Sequence, residues 1–76
     1  MEGDDIMYDR LARDLQNKLT SSEWSLVSYY IYKADDLGKN GNDSAAKESL
    51  YDAIAVAKAN NELNAAGKIQ YYLRFY

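Results

Sequence analysis

Cysteine, histidine and proline are all absent from this chain of 76 residues. Without cysteine it cannot form a disulfide, and without cysteine and histidine it lacks the usual ligands of zinc and other transition metals. The same absences exclude nucleophilic sites of the Cys–His and Ser–His–Asp kinds, which depend on an imidazole base. We therefore expect a protein that is not an enzyme and that has no catalytic residue, no cofactor and no metal site.

Long apolar segments are also lacking. The longest one, residues 26–32, contains a serine and three tyrosines, and it is far shorter than the ~20 residues that a membrane-spanning helix needs. The N-terminus carries Glu2, Asp4 and Asp5, whereas a secretory signal begins with basic residues. The sequence therefore predicts a cytoplasmic protein that does not act at a membrane.

Positive charge is scarce in the first half of the chain. Residues 1–36 contain eight acidic and four basic residues, which gives a charge of -4. Residues 37–76 contain four acidic and five basic residues, which gives +1, so the net charge is -3. Because Lys and Arg supply the affinity for phosphate backbones, we do not expect a nucleic-acid partner. One alternative is that the acids imitate DNA and bind a DNA-binding protein; the residues concerned are Asp4, Asp5, Asp9, Asp14, Glu23, Asp35 and Asp36.

Apolar residues recur at helical spacing from the start of the chain. Leu11, Leu15 and Leu19 follow one another at intervals of four, which predicts a helix over residues 4–19. Thr20 and Glu23 have the spacing of a capping box, in which each residue satisfies a backbone N–H of the other. A second helix is therefore expected to begin at residue 21.

The second helix is predicted over residues 21–37. It has a broad apolar arc that we expect to be buried, formed by Trp24, Leu26, Val27, Tyr30, Ile31, Ala34 and Leu37. Gly38 suits the left-handed position that ends a helix, and residues 40–41 supply further turn chemistry. Asp35 and Asp36 are interpreted as exposed hydrogen-bond acceptors beside this turn.

Two further helices complete the prediction. Residues 42–44 offer three capping side chains for a helix over residues 43–59, and the asparagines at 60–61 interrupt the pattern before a fourth helix over residues 62–76. Gly67 is a local weakness in that last helix. The expected fold is all-α, a single four-helix domain over residues 1–76, built round the central hairpin of the second and third helices.

Small and apolar residues in the central hairpin stand at regular spacings: Ala34, Leu37, Gly41, Ala46, Leu50 and Ala53. In this respect residues 30–59 resemble a single tetratricopeptide-like helix-turn-helix unit. The resemblance implies binding of a protein or peptide rather than catalysis. Because about three such units are normally needed for a stable array, we expect a four-helix domain and not a solenoid.

Aromatic residues are abundant, with eight tyrosines, one tryptophan and one phenylalanine. Five of them exceed what the predicted core arcs can hold: Tyr29, Tyr32, Tyr51, Tyr71 and Phe75. Exposed aromatic side chains are favoured at the centres of protein interfaces, so these five are the candidate partner-binding residues. The alternative for Tyr71 and Phe75 is that they lie at the margins of a groove occupied by the fourth helix.

These observations predict a non-enzymatic protein–protein interaction module, either an adaptor or a small acidic inhibitor that binds and occludes a larger protein. By analogy of format alone, it could be a phage or mobile-element protein that antagonises host machinery. Two alternatives stay open. One is a homo-oligomeric structural subunit, such as a homodimer docked through its fourth helix, and the other is the acidic DNA mimic.

Overall fold

The computed structural model describes residues 2–75, with the side chains of residues 8–74. It contains four helices: α1 (Glu2–Lys18), α2 (Ser21–Lys39), α3 (Asp43–Ala59) and α4 (Leu63–Phe75). Short connections make consecutive helices antiparallel neighbours. The most extensive contact joins α2 and α3, and the contact between α1 and α4 is much smaller. The all-α four-helix prediction is confirmed, in a body of 35 × 20 × 20 Å.

The start of α2 is fixed by the predicted capping box. The Glu23 backbone N–H donates to Thr20 Oγ1 at 3.3 Å, and the Thr20 backbone N–H donates to Glu23 Oε1 at 2.9 Å. Leu19 is buried just before the cap, and Trp24 packs half-buried against the core. This boundary is confirmed in its chemistry as well as its position.

The prediction that Gly38 ends α2 is wrong. The helix continues through Lys39, and Gly41 takes the left-handed conformation with φ of 79°. The N–H of Asn42 then donates to Leu37 O at 2.9 Å, and the N–H of Gly41 donates to Gly38 O at 3.0 Å. These two bonds form a Schellman motif, so α2 is two residues longer than expected.

Gly38 has a different role, because it lies beneath the ring of Tyr8 from α1. A Cβ atom added at Gly38 would come within 2.9 Å of Tyr8 Cγ and 3.0 Å of Cε2. The Tyr8 hydroxyl donates to Asp43 Oδ1 at 2.5 Å, which joins α1 to the start of α3. Glycine at position 38 therefore permits close contact between two helices.

The end of α3 repeats the motif with asparagine in place of glycine. Asn61 has φ of 61°, the Glu62 N–H donates to Ala57 O at 2.8 Å, and the Asn61 N–H donates to Lys58 O at 3.0 Å. Asparagine tolerates the left-handed region better than most residues. The predicted interruption at residues 60–61 is confirmed, and the bounds of α3 match the expected ones.

All four helices contribute to one core. Its buried apolar residues are Tyr8, Leu11, Ala12, Leu15, Leu19, Val27, Ile31, Ala34, Ala46, Leu50, Ala53, Ile54, Ala57, Ala65, Ala66 and Ile69. Alanines supply much of the contribution from α3 and α4, so these helices approach their neighbours closely. Ser49 ties α3 to α2, since its hydroxyl donates to Tyr30 O at 2.8 Å. Of the apolar arc predicted on α2, Val27, Ile31 and Ala34 are fully buried, and the remainder is half-buried.

Candidate partner-binding surfaces

Four of the five candidate partner-binding residues lie within the described side chains, and each is more than half exposed. The exposed fraction is 67% for Tyr29, 52% for Tyr32, 56% for Tyr51 and 59% for Tyr71. The side chain of Phe75 lies outside the described part. The structure distributes the four tyrosines over α2, α3 and α4, so they do not form one continuous patch on a single helix.

Tyr29 and Tyr32 lie together on the outer side of α2. Tyr32 packs edge-on against Trp24 with ring centroids 5.5 Å apart, and Tyr29 packs edge-on against Tyr30 at 5.2 Å. Lys33 Nζ lies 6.0 Å from the centre of the Tyr29 ring, at the limit of a cation–π contact. We call Trp24, Tyr29 and Tyr32 the α2 aromatic surface. Its two exposed rings are held in place by their neighbours.

A groove of about 450 Å³ runs between the C-terminal end of α1 and the outer side of α4. We call it the α1/α4 groove. It is lined by Lys18 from α1 and by Leu63, Asn64, Gly67, Lys68, Tyr71 and Tyr72 from α4. Of the four candidate partner-binding residues whose side chains are described, Tyr71 lines it. Neither the groove nor its two lysines were expected, because the sequence does not show which sides of the first and last helices meet.

The middle of the groove is opened by Gly67. A Cβ atom added there would meet nothing within 4 Å in the described part of the chain, so the described packing gives no reason for a glycine in the helix. One turn earlier, Leu63 is 63% exposed. The weakness predicted at Gly67 thus coincides with a notch in the groove wall.

Glu23 is one of the acids assigned to the DNA-mimic alternative. It is buried, and its carboxylate already accepts hydrogen bonds from within the protein. Its carboxylate accepts the Thr20 backbone N–H and also accepts Asn64 Nδ2 from α4 at 3.1 Å. Donation from the Thr20 backbone and then from Asn64 lowers the pKa of Glu23 below its ordinary 4.5, against the opposing effect of burial. Glu23 therefore joins the starts of α2 and α4 and does not present its charge to a partner.

Asp35 was expected on the surface beside the turn, and that expectation is wrong. It is buried, because it lies on the inner side of α2, which extends beyond it to Lys39. Its Oδ2 pairs with Lys39 Nζ at 3.2 Å, and its Oδ1 has no hydrogen-bond partner among the described residues. Donation to Asp35 raises the pKa of Lys39 above its ordinary value. Asp36 is exposed as expected.

Among the side chains that the structure describes, no group of His, Cys, Asp or Glu is placed to hold a metal ion. No helix within the described residues is both long enough and apolar enough to cross a membrane. Comparison with models of protein families, with curated proteins and with solved structures finds no match. Function is therefore inferred from the α2 aromatic surface and the α1/α4 groove.

Proposed function

We propose that this protein is a non-enzymatic protein–protein interaction module, a small acidic adaptor or inhibitor that covers a site on a larger protein. One observation carries the proposal: all four helices contribute to the core, and four tyrosines among the described side chains are nevertheless more than half exposed. Tyrosine buries a large area at low cost in side-chain entropy, and it is enriched among residues that dominate binding energy. A large part of each ring is therefore exposed to a partner without any change in the fold.

The α2 aromatic surface is the best centre for such an interface. Tyr29 and Tyr32 are one helical turn apart, so both can enter the same contact. Their edge contacts with Tyr30 and Trp24 reduce the freedom lost on binding. The exposed charges of Lys33 and Asp36 flank the rings and would form a polar rim.

The resemblance of the α2–α3 hairpin to a tetratricopeptide-like unit implies the same class of function, binding of a protein or peptide. A cytoplasmic location is part of this proposal, and so is the role of a phage or mobile-element antagonist of host machinery. The role of a phage or mobile-element antagonist is inferred by analogy alone, because the protein is a short acidic chain.

The test is affinity capture from a lysate of the source cells with the wild-type protein and the double variant Tyr29→Ser with Tyr32→Ser. We expect the wild type to retain one stoichiometric partner and the variant to lose it, with both showing the same helical circular dichroism. A matched control is Gln16→Ser with Asn17→Ser, which changes two exposed polar residues of α1 and should keep the partner.

Undiminished capture by the Tyr29/Tyr32 variant would contradict the assignment of the α2 aromatic surface. Light scattering on the free protein gives an independent check. If the chain recovered only copies of itself and behaved as a dimer, the module would be a self-assembling subunit and the proposed function would be wrong.

A further inference from the structure

The α1/α4 groove has a charge opposite to that of the whole chain. The protein has a net charge of -3, yet among the described side chains the groove is lined by Lys18 and Lys68 and by no acidic residue. Glu23 lies close enough for Lys68 to contribute to the lowering of its pKa. However, its carboxylate is buried and already accepts hydrogen bonds from Thr20 and Asn64. The side of the groove that faces solvent and carries the two lysines is therefore complementary to an anion.

The length of the groove suits a short extended chain. From Leu63 to Tyr71 is eight residues of helix, or about 12 Å at 1.5 Å per residue. An extended peptide advances about 3.3 Å per residue, so about four residues fit this length. Leu63 and Tyr71 are exposed at its two ends and offer apolar contacts, and Gly67 leaves room between them for a side chain.

We infer that the α1/α4 groove binds a short acidic peptide segment of the partner in extended form, with its carboxylates at Lys18 and Lys68 and an apolar or aromatic side chain over Gly67. This inference rests on the proposed function and adds the chemistry of one contact to it. A peptide is favoured over nucleic acid because two lysines on a chain of net negative charge provide few phosphate contacts.

The probe is a labelled peptide, Ser-Glu-Phe-Glu-Ser, titrated into the isotope-labelled protein and followed by NMR. We expect amide shifts at Lys18, Gly67 and Lys68, and binding that weakens as salt is raised. The counterpart Ser-Gln-Phe-Gln-Ser has the same shape without charge and should bind about tenfold more weakly, since two exposed ion pairs are lost.

Two variants at one position separate charge from shape. Gly67→Glu and Gly67→Lys fill the notch with side chains of similar length, and an added Cβ would lie more than 4 Å from the described atoms of the neighbouring helices. Gly67→Glu should weaken binding of the acidic peptide by about tenfold, and Gly67→Lys should bind it more tightly than Gly67→Glu does. The matched control pair is Ala55→Glu and Ala55→Lys, at an exposed position on α3. These two variants should not differ in this way in their affinity for the acidic peptide.

Several results would overturn the inference. These are equal binding by the two Gly67 variants, shifts confined to the α2 aromatic surface, equal affinity for the two peptides, and tighter binding of an oligothymidylate at the same residues. Capture of the natural partner distinguishes this inference from the proposed function. If the Tyr29/Tyr32 variant lost the partner and Gly67→Glu kept it, the groove inference alone would fail. If both variants kept it, the assignment of the α2 aromatic surface would fail as well.

Discussion

Replacing Gly38 with alanine should destabilise the protein, whereas the same replacement at Gly67 should stabilise it. Both glycines lie inside helices. At Gly38 the new methyl group would meet the ring of Tyr8, with Cγ at 2.9 Å and Cε2 at 3.0 Å. At Gly67 the methyl group would meet none of the described neighbouring atoms within 4 Å.

The magnitudes follow from two opposing effects. Alanine is favoured over glycine in a helix interior by about 1 kcal/mol, and this gain applies at both positions. Overpacking a well-packed core costs about 1–3 kcal/mol. We expect the upper part of that range at Gly38, because the Tyr8 ring is buried and its hydroxyl is bound to Asp43. The net effect is a loss of about 1–2 kcal/mol for Gly38→Ala and a gain of about 0.5–1 kcal/mol for Gly67→Ala.

Urea and thermal denaturation followed by circular dichroism measure both variants against the wild type. In a domain of this size, 1 kcal/mol corresponds to roughly 4–8 °C in Tm, so the difference of about 1.5–3 kcal/mol should separate the two variants by roughly 6–24 °C. Gly67→Ala serves as the control for helix propensity. If Gly38→Ala raised the midpoint as much as Gly67→Ala, the close contact between Gly38 and Tyr8 would not exist in solution.

Three further predictions concern the polar contacts between helices. Thr20→Ala removes the N-cap of α2 and should lower the free energy of unfolding by about 1 kcal/mol in urea; an unchanged midpoint would contradict the observed cap. Tyr8→Phe removes the donor to Asp43 and should cost about 1 kcal/mol by the same assay, whereas no loss would mean that water replaces the bond. The pKa of Glu23 is lowered on folding, so its contribution to stability is present above its ordinary 4.5 and is lost as pH falls through the folded value. Glu23→Gln should remove this contribution to the pH dependence of the free energy of unfolding. An unchanged pH profile would refute the prediction.

The helices were predictable because their signals are local. Capping depends on residues three apart, such as Thr20 and Glu23, and the periodic leucines of α1 lie within one helix. The start of α2 and both ends of α3 therefore appear in the structure where the sequence placed them. The end of α2 was misplaced by only two residues, since Gly41 could supply the same left-handed conformation as Gly38.

Features that depend on contacts between distant helices could not be predicted in this way. The glycine at position 38 is explained by Tyr8, which belongs to another helix. Asp35 and Glu23 look like ordinary surface acids in the sequence, and their burial follows from the packing of the helices around them. The exposure of the tyrosines was predictable from periodicity. The α1/α4 groove was not, because its walls come from the two ends of the chain.

The groove and the helix cap are connected through one side chain. Asn64 lines the groove and also donates to the Glu23 carboxylate, which accepts the Thr20 backbone N–H at the start of α2. A substitution at Asn64 would therefore change stability and binding together, and its effect on binding alone could not be interpreted. Gly67 and Lys68 have no hydrogen bond of this kind among the described side-chain contacts. The two Gly67 variants are thus the sharper test, since they alter the charge of the groove while the cap that supports it stays intact.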